Sequence, residues 1–248
     1  MIILKTPQEI ATMREGNRIL ARLFEHLAPL IQPGITTAEL DKEAEIFIRS
    51  YNALPAFKGY RGYPATLCTS INEEVIHGIP GPRILKGGDI ISIDVGAFHD
   101  GFFSDAAKTF TVGKVSKKAQ RLMDATEKAL YEGINRAVTG NHLHDISEAI
   151  QRVVESAGFS VVREFVGHGI GRTLHEDPQI PNFGKKGTGL PLQAGMTLAI
   201  EPMVNEGTWR VLIRNDGWTA VTADGSLSAH FEHSIAITSD GPMILSAL

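Results

Sequence analysis

The stretch 90-IISIDVGAFHDGFFSD-105 predicts a β-hairpin that carries two acidic residues on one face. The apolar residues around Asp94 are typical of a buried strand, and Asp100-Gly101 is a strong signal for a two-residue turn. With such a turn, Asp94 lies opposite Ala107, and Asp105 is its diagonal neighbour at roughly 7 Å. Two like charges this close in an apolar strand are unfavourable unless a cation lies between them. The hairpin therefore predicts a cation site.

The overall composition is that of an ordinary globular protein. The chain has 248 residues, of which 43% are hydrophobic, enough for one substantial core. Its formal charge of -4 argues against a nucleic-acid surface or an anionic membrane as the main partner. Because no run of apolar residues is long enough to span a bilayer, we expect neither a membrane span nor a signal peptide. The single cysteine, Cys68, fits a reducing cytoplasm.

Helical and strand-like patterns occur in the same order in both halves of the chain. A capping box at Thr6 to Glu9 predicts a first helix that Gly34 stops, and a second helix begins near Thr36. In the second half, a helix is predicted from Ser116 to about position 137, and Asp145 is expected to cap another that ends at Gly158. Strand-like runs are expected at 66–71, 89–96, 102–112, 161–166, 196–203, 218–222 and 228–238.

Short sequence matches suggest an internal duplication. LKGGDIISID (85–94) aligns with LQAGMTLAIE (192–201), which places Asp94 on Glu201 at an offset of 107 residues. Chance similarity between two amphipathic patterns is the alternative explanation. We expect one catalytic domain over 1–248, with pseudo-symmetric halves of about 1–113 and 114–248. A cleft at their seam would bring Asp94 and Glu201 together.

Three further polar residues lie within apolar, strand-like runs: His168, Glu201 and Glu232. Taken singly, such a residue is compatible with a structural role, as a hydrogen-bonded core imidazole or on an exposed face. Together with the two aspartates, they give four carboxylates and one imidazole from separate segments, a set that is hard to explain as scattered structural groups.

The chemistry of this set restricts the metal. Four ionised carboxylates are neutralised by two divalent ions but not by one. Oxygen-rich ligation with one nitrogen suits manganese, iron or cobalt better than a structural zinc. Two such ions can activate a water molecule and polarise a carbonyl, as amide or ester hydrolysis requires. A two-metal phosphatase is the less favoured alternative, because no arginine or lysine is embedded with the carboxylates to bind a phosphate.

The order and spacing of these residues resemble those of the type I methionine aminopeptidases, which have the α+β pita-bread fold. The resemblance includes NEEVIHGIP (72–80) and VGHGIGRTLHEDP (166–178) and extends over nearly the whole chain. It implies paired helices packed on a curved antiparallel sheet. Only 31 residues separate Glu201 from Glu232, so the helical insertion of type II enzymes is absent.

The resemblance also implies roles for individual residues. The metal ligands would be Asp94, Asp105, His168, Glu201 and Glu232, with Asp105 and Glu232 bridging two ions of cobalt, manganese or iron. Glu201 would also transfer protons between the attacking water and the leaving amine. His77 and His175 would contact the substrate and stabilise the tetrahedral intermediate.

A further group of residues matches the pocket that takes the methionine side chain. It comprises Phe57, Tyr60, Tyr63, Cys68, Leu174 and Trp218. Phe57 replaces a residue that is usually small, Leu174 replaces a frequent phenylalanine, and Arg61 lies where a histidine is often found. These departures bear on the shape of the pocket and on inhibitor preference, not on the reaction.

The function implied is removal of the N-terminal methionine from nascent proteins whose second residue is small. The expected partners are peptides and nascent N-termini, with transient contact to the ribosome, no direct nucleic-acid or membrane partner, and a monomeric state. Two alternatives share the fold: an X-Pro aminopeptidase or prolidase, whose relatives usually carry a large extra N-terminal domain, and a metal-free peptide-binding protein.

Overall fold

The hairpin that the opening stretch predicts is the centre of the fold. In a computed structural model that describes residues 2–248, strands β4 (Ile90–His99) and β5 (Phe102–Thr111) pair antiparallel along their full length. Asp94 lies opposite Ala107, as expected from the turn. Asp100 and Gly101 have φ of 47° and 83°, the left-handed conformations that a tight hairpin turn of this type requires. The predicted register is confirmed.

Four α-helices pack against the strands. They are α1 (Pro7–Leu27), α2 (Thr37–Ser50), α3 (Lys117–Ile134) and α4 (Leu143–Ser156). The predicted capping box is present at Thr6, and the predicted start of α2 near Thr36 has one as well: the two hydroxyls accept hydrogen bonds from the backbone N–H groups of Glu9 and Glu39.

The described part of the chain contains fifteen strands, including β4 and β5. The remaining thirteen are β1 (Leu54–Pro55), β2 (Leu67–Ile71), β3 (Glu74–Ile76), β6 (Ser160–Val161), β7 (Gly167–Gly169), β8 (Glu176–Ile180), β9 (Thr197–Ile200), β10 (Met203–Asn205), β11 (Val211–Ile213), β12 (Ala220–Thr222), β13 (Ser228–His230), β14 (Glu232–Thr238) and β15 (Gly241–Ile244). Nine of the fifteen strands form one antiparallel sheet with the path β1-β4-β5-β14-β9-β7-β8, to which β2 adds beside β4 and β15 beside β14. Two three-stranded sheets, β13-β10-β6 and β11-β12-β3, flank it.

The helices cover this sheet in two pairs. Leu20 of α1 and Leu40 of α2 are fully buried in one cluster with Ile91 and Ile93 of β4. Residues of α3 and α4 form a second cluster with strands of the later half, including Leu198, Ile200 and Ile235. Since burying one such aliphatic side chain is worth roughly 1.5 to 3 kcal/mol, these clusters hold the sheet against the helices.

Several predicted boundaries were wrong for identifiable reasons. Helix α1 ends at Leu27, well before Gly34, because the chain tightens into a 3-10 turn at Ala28–Leu30 that contains Pro29. Asp145 does not cap α4: it is the third helical residue, and its carboxylate accepts a hydrogen bond from the backbone N–H of the cap residue, His142.

The longer predicted strands are also interrupted. The run 161–166 is a strand only at Ser160–Val161. The run 196–203 divides into β9 and β10 around Glu201-Pro202, because proline cannot donate to a sheet ladder. The run 228–238 divides at Phe231. Each of the latter two breaks adjoins a predicted metal ligand.

No helix within residues 2–248 is both long enough and apolar enough to cross a bilayer.

Candidate metal centre

The five predicted metal ligands come from five adjacent strands of the large sheet. Asp94 lies on β4, Asp105 on β5, Glu232 at the start of β14, Glu201 directly after β9, and His168 on β7. These strands are consecutive neighbours in the sheet. Ala107 pairs with both Asp94 and Glu232, so the two carboxylates flank a small side chain in one row. The sheet thus directs residues that are distant in sequence to one spot.

The functional atoms of these residues lie close together. The imidazole Nε2 of His168 is 3.7 Å from Asp105 Oδ2 and 3.5 Å from Glu201 Oε1. Ligand atoms of Asp105, His168 and Glu232 all lie within 4.8 Å of one another, and all three residues are buried. Such spacing suits coordination of a shared cation.

The protonation of His168 follows from its other contact. Its Nδ1 is 2.9 Å from the backbone carbonyl oxygen of Gly169, which can only accept, so Nδ1 carries the proton. Burial, and then the nearby His175, lower the pKa of His168 to about 4, so the ring is neutral at pH 7. Nε2 therefore presents a lone pair to two carboxylates, an arrangement that is repulsive without a cation between them.

Carboxylate oxygens in the cluster lack protein partners. Asp94 Oδ1, Asp105 Oδ1 and Glu232 Oε1 are buried and have no hydrogen-bond partner within the described residues. Burial raises the pKa of Asp94 to about 7, and burial followed by neighbouring carboxylates raises the pKa of Asp105 and Glu232 well above their ordinary values. Buried, unpaired anionic oxygens are costly, and divalent cations supply the missing partner. The residues therefore fit a metal centre.

The five predicted ligands, called the metal cluster below, form the floor of a cavity of about 170 Å³. Its lining contains all thirteen residues that the sequence assigned to metal, catalysis or substrate, together with Arg61. They are Phe57, Tyr60, Tyr63, Cys68, His77, Asp94, Asp105, His168, Leu174, His175, Glu201, Trp218 and Glu232. The structure thus brings every predicted site residue to one cavity.

Tilted ring contacts lead from His168 of the metal cluster to the exposed rim of the cavity. The rings of His168 and His175 are 4.3 Å apart, and those of His175 and Tyr60 are 5.3 Å apart. The Tyr60 hydroxyl is within hydrogen-bonding distance, 2.9 Å, of His175 Nδ1. The guanidinium carbon of Arg61 lies 5.4 Å from the Tyr60 ring centroid, on the solvent side.

The backbone of the rim has an unusual conformation. Gly59, Arg61 and Gly62 have φ of 91°, 49° and 90°, and the left-handed region is uncommon for a residue such as arginine. The two glycines allow the tight turn that places Tyr60 over the cavity.

The two predicted substrate-contacting histidines are neutral donors or acceptors at pH 7. Burial, and then His175, lower the pKa of His77 to about 4. Burial and then the charge of Arg61 lower the pKa of His175. A neutral imidazole can donate one hydrogen bond without adding charge to the site.

Apolar and aromatic side chains form the wall of the cavity. Phe57 packs so closely on Gly96 that a Cβ there would lie 2.6 Å from its ring. Tyr63 donates hydrogen bonds to the carbonyl oxygens of Leu67 and Gly78, at 2.9 and 3.0 Å, and its ring contacts Trp218 edge-on at 5.1 Å. Burial raises the pKa of the Cys68 thiol, which suits a wall residue and not a nucleophile.

Sequence reasoning did not single out two buried residues beside Glu201. Asn182 donates a hydrogen bond of 3.0 Å to the Glu201 carbonyl oxygen. His230, on β13, has Nε2 3.8 Å from Glu201 Oε2, and burial followed by His77 lowers its pKa to about 3. The sequence feature that could have indicated His230 is its position two residues before Glu232 in the same apolar run.

Comparison with known proteins agrees with this geometry. The model of metallopeptidase family M24 matches residues 11–239. Among curated relatives, a methionine aminopeptidase of Clostridium perfringens is 55% identical over 100% of both chains. Methionine aminopeptidase 1 of Bacillus subtilis is 54% identical over 99% of both chains.

Solved structures give the same result. A methionine aminopeptidase from Thermotoga maritima superposes with a TM-score of 0.98 at 48% identity, covering 100% of both chains. The prolidase of Pyrococcus furiosus, at 21% identity and a TM-score of 0.79, covers 99% of this chain but 66% of that one, and shows the fold alone. The predicted resemblance and the pita-bread fold are confirmed.

Proposed function

The chain belongs to metallopeptidase family M24, and from this premise we propose that it is a methionine aminopeptidase that hydrolyses the first peptide bond of proteins with a small second residue. The observation that carries the proposal is the group of buried carboxylate oxygens without protein partners, next to a lone-pair-bearing imidazole, at the floor of an apolar cavity. Such a floor suits cations, and such a wall suits an unbranched apolar side chain.

We propose that two divalent ions, of manganese, iron or cobalt, bind at Asp94, Asp105, His168, Glu201 and Glu232. Asp105 and Glu232 lie on adjacent strands in the middle of the five that carry the ligands, which supports a bridging role for their carboxylates. Four carboxylates also match the charge of two divalent ions. When bound, the ions lower the pKa of water and polarise the scissile carbonyl.

Glu201 is the proposed proton carrier. One of its oxygens faces His168 within the cluster, and its side chain is only 12% exposed, so bulk water does not compete for its proton. Its carboxylate accepts the proton of the attacking water and returns it to the leaving amine.

His77 and His175 are proposed to act on the substrate carbonyl. If the Tyr60 hydroxyl donates to Nδ1 of His175, the ring proton lies on Nε2, away from Tyr60. That N–H can donate to the negative oxygen that develops during water attack. Tyr60 thereby fixes both the tautomer and the orientation of His175.

The wall determines which N-terminal residue is removed. The wall residues enclose space for a thioether chain; they are Phe57, Tyr63, Cys68, Leu174 and Trp218. The free amino group of the substrate would reach the metal that Asp94 would hold. A cavity of about 170 Å³ leaves little room for a large second side chain. This supports exopeptidase action on Met-small sequences.

The decisive experiment measures methionine release from Met-Ala-Ser by the purified protein, with manganese or cobalt and with EDTA. We expect turnover that EDTA abolishes and added metal restores. Met-Leu-Ser is the matched control for the second residue and should be cleaved far more slowly. Equal turnover of both peptides would contradict the specificity, and cleavage of Ala-Pro in preference to Met-Ala-Ser would indicate the prolidase alternative.

We also propose a cytoplasmic monomer that acts on nascent N-termini and contacts the ribosome transiently. The single cysteine, buried in the cavity wall, supports a reducing compartment. Size-exclusion chromatography with light scattering tests the monomer, and co-sedimentation with ribosomes tests the contact.

A further inference from the structure

His230 is a buried residue without an evident structural role for its ring. It is 1% exposed, and neither Nδ1 nor Nε2 has a hydrogen-bond partner in the described part of the chain. Buried polar side chains are normally hydrogen-bonded, so an imidazole with two free nitrogens requires an explanation.

The backbone of His230 is held by contacts on both sides. The Thr109 hydroxyl donates to the His230 carbonyl oxygen at 2.8 Å and accepts from its backbone N–H at 3.0 Å. On the other side, His230 pairs with Met203 in the sheet that joins β13 and β10. The side chain is therefore presented from a rigid frame.

The carboxylate of Glu201 lies beside this ring. His230 Nε2 is 3.8 Å from Glu201 Oε2, whereas Glu201 Oε1 is 3.5 Å from His168 Nε2. The two oxygens of Glu201 thus face different imidazoles. The ring of His168 belongs to the metal cluster, and the ring of His230 lies outside it. A shift of roughly 0.8 Å would bring His230 to ordinary hydrogen-bond distance. Contacts in ligand-free sites are often long and tighten on loading.

We propose that His230 is a positioning residue for Glu201, an inference that rests on the proposed function. Its Nε2–H donates to Glu201 Oε2 and leaves Oε1 directed at the metal cluster. Partners of this kind orient metal ligands, and their loss typically lowers metal affinity or activity by about 10- to 100-fold.

The test compares two variants of similar size, His230→Gln and His230→Leu. Glutamine retains an N–H donor, and leucine does not. We measure manganese affinity of the metal-free proteins by calorimetry, then kcat and KM on Met-Ala-Ser at saturating metal, with thermal melting as the check on folding. His230→Leu should weaken metal binding about 10-fold and lower kcat about 10- to 100-fold with little change in KM. His230→Gln should recover most of both losses.

Two results would overturn the proposal: unchanged metal affinity and kcat in His230→Leu, or equal losses in both folded variants, which would assign the effect to shape. If His230→Leu does not fold, nitrogen-15 NMR of histidine-labelled, zinc-loaded wild-type protein decides. A proton on Nε2 of His230 supports the proposal, and a proton on Nδ1 rejects it. Wild-type turnover distinguishes failure of this inference from failure of the proposed function. If the wild-type protein cleaves Met-Ala-Ser and His230→Leu is unaffected, only the positioning role is wrong.

Discussion

The floor and the rim of the cavity are built by different means. The floor, defined as Asp94, Asp105, His168, Glu201 and Glu232, comes from five adjacent strands whose pairing fixes each side chain. The rim, defined as Tyr60, Arg61 and His175, is carried on irregular segments and held by ring contacts and one side-chain hydrogen bond.

The difference between them is also one of charge. The floor places four carboxylates in a buried site, and its oxygens without partners require cations. The rim is exposed at Arg61 and His175 and needs no added ligand for its stability. We therefore expect floor substitutions to remove the metal and the reaction together, and rim substitutions to change rate or substrate preference with the metal in place.

The largest expected effect is the loss of a bridging charge. Asp105→Asn or Glu232→Gln removes one anion from a site that needs four, and we expect metal content and methionine release to fall together, the latter by at least about 10³-fold. Elemental analysis and a Met-Ala-Ser assay measure the two quantities.

Asp124→Asn is the matched control for that experiment, because Asp124 is exposed on α3, away from the cavity. It should retain full metal content and activity. Near-normal turnover in either floor variant would remove the basis for the assigned ligands.

The next effect tests whether the rim acts without holding metal. His175→Ala removes a proposed donor to the developing negative oxygen, and we expect kcat to fall about 10²-fold at unchanged metal content. Tyr60→Phe should lower kcat less, by about 10-fold, because it removes the hydrogen bond that orients His175. Steady-state kinetics with metal analysis checks both, and metal loss in His175→Ala would reassign that residue to the floor.

The third effect concerns the floor without metal. Raised carboxyl pKa values mean that the protonated form is favoured in the folded state, so stability is lost as pH rises through about 7 for Asp94 and higher for its neighbours. Buried histidines with lowered pKa values act oppositely, but their effect is nearly complete above about pH 7.5, one unit above the pKa of an unfolded histidine.

The window above about pH 7.5 therefore isolates the carboxylates that ionise last. In EDTA, we expect the free energy of unfolding to fall as pH rises through this window, because the pKa values of Asp105 and Glu232 are raised further than that of Asp94. Manganese should remove the decline, because metal binding requires ionised ligands. Thermal melting with EDTA and with manganese measures this decline. A metal-free protein that becomes more stable as pH rises through this window would show that burial does not disfavour the ionised carboxylates.

The floor was largely predictable from sequence. Charged residues are conspicuous in apolar strands, and the two-residue turn placed Asp94 against Ala107 by simple register. What pattern reasoning could not give was the order of strands, which joins β5 to β14 and β9 to β7 across long stretches of chain. Neighbours of this kind depend on tertiary packing, so His230 beside Glu201 was missed.

The rim was predictable only through the family resemblance. Tyr60 and His175 lie 115 residues apart on segments without hydrophobic periodicity, so no local rule brings them together. The misplaced α4 cap has a similar cause. Asp145 is a good cap residue by type, but its carboxylate serves the His142 N–H from inside the helix, and side-chain identity alone does not separate the two positions.

The smallest expected effect is a substrate preference set by Arg61. It is the only lysine or arginine lining the cavity, and its exposed position suits contact with substrate residues beyond the second. We expect Arg61→Ala to lower kcat/KM for Met-Ala-Asp-Asp relative to Met-Ala-Lys-Lys by about 3- to 5-fold, less at high salt because exposed charges are screened. Lys58→Ala removes the same charge nearby, but Lys58 is paired with Glu45, so the ratio should not change. An equal change in both variants would indicate general surface charge, and the rim would then contribute to rate but not to sequence preference.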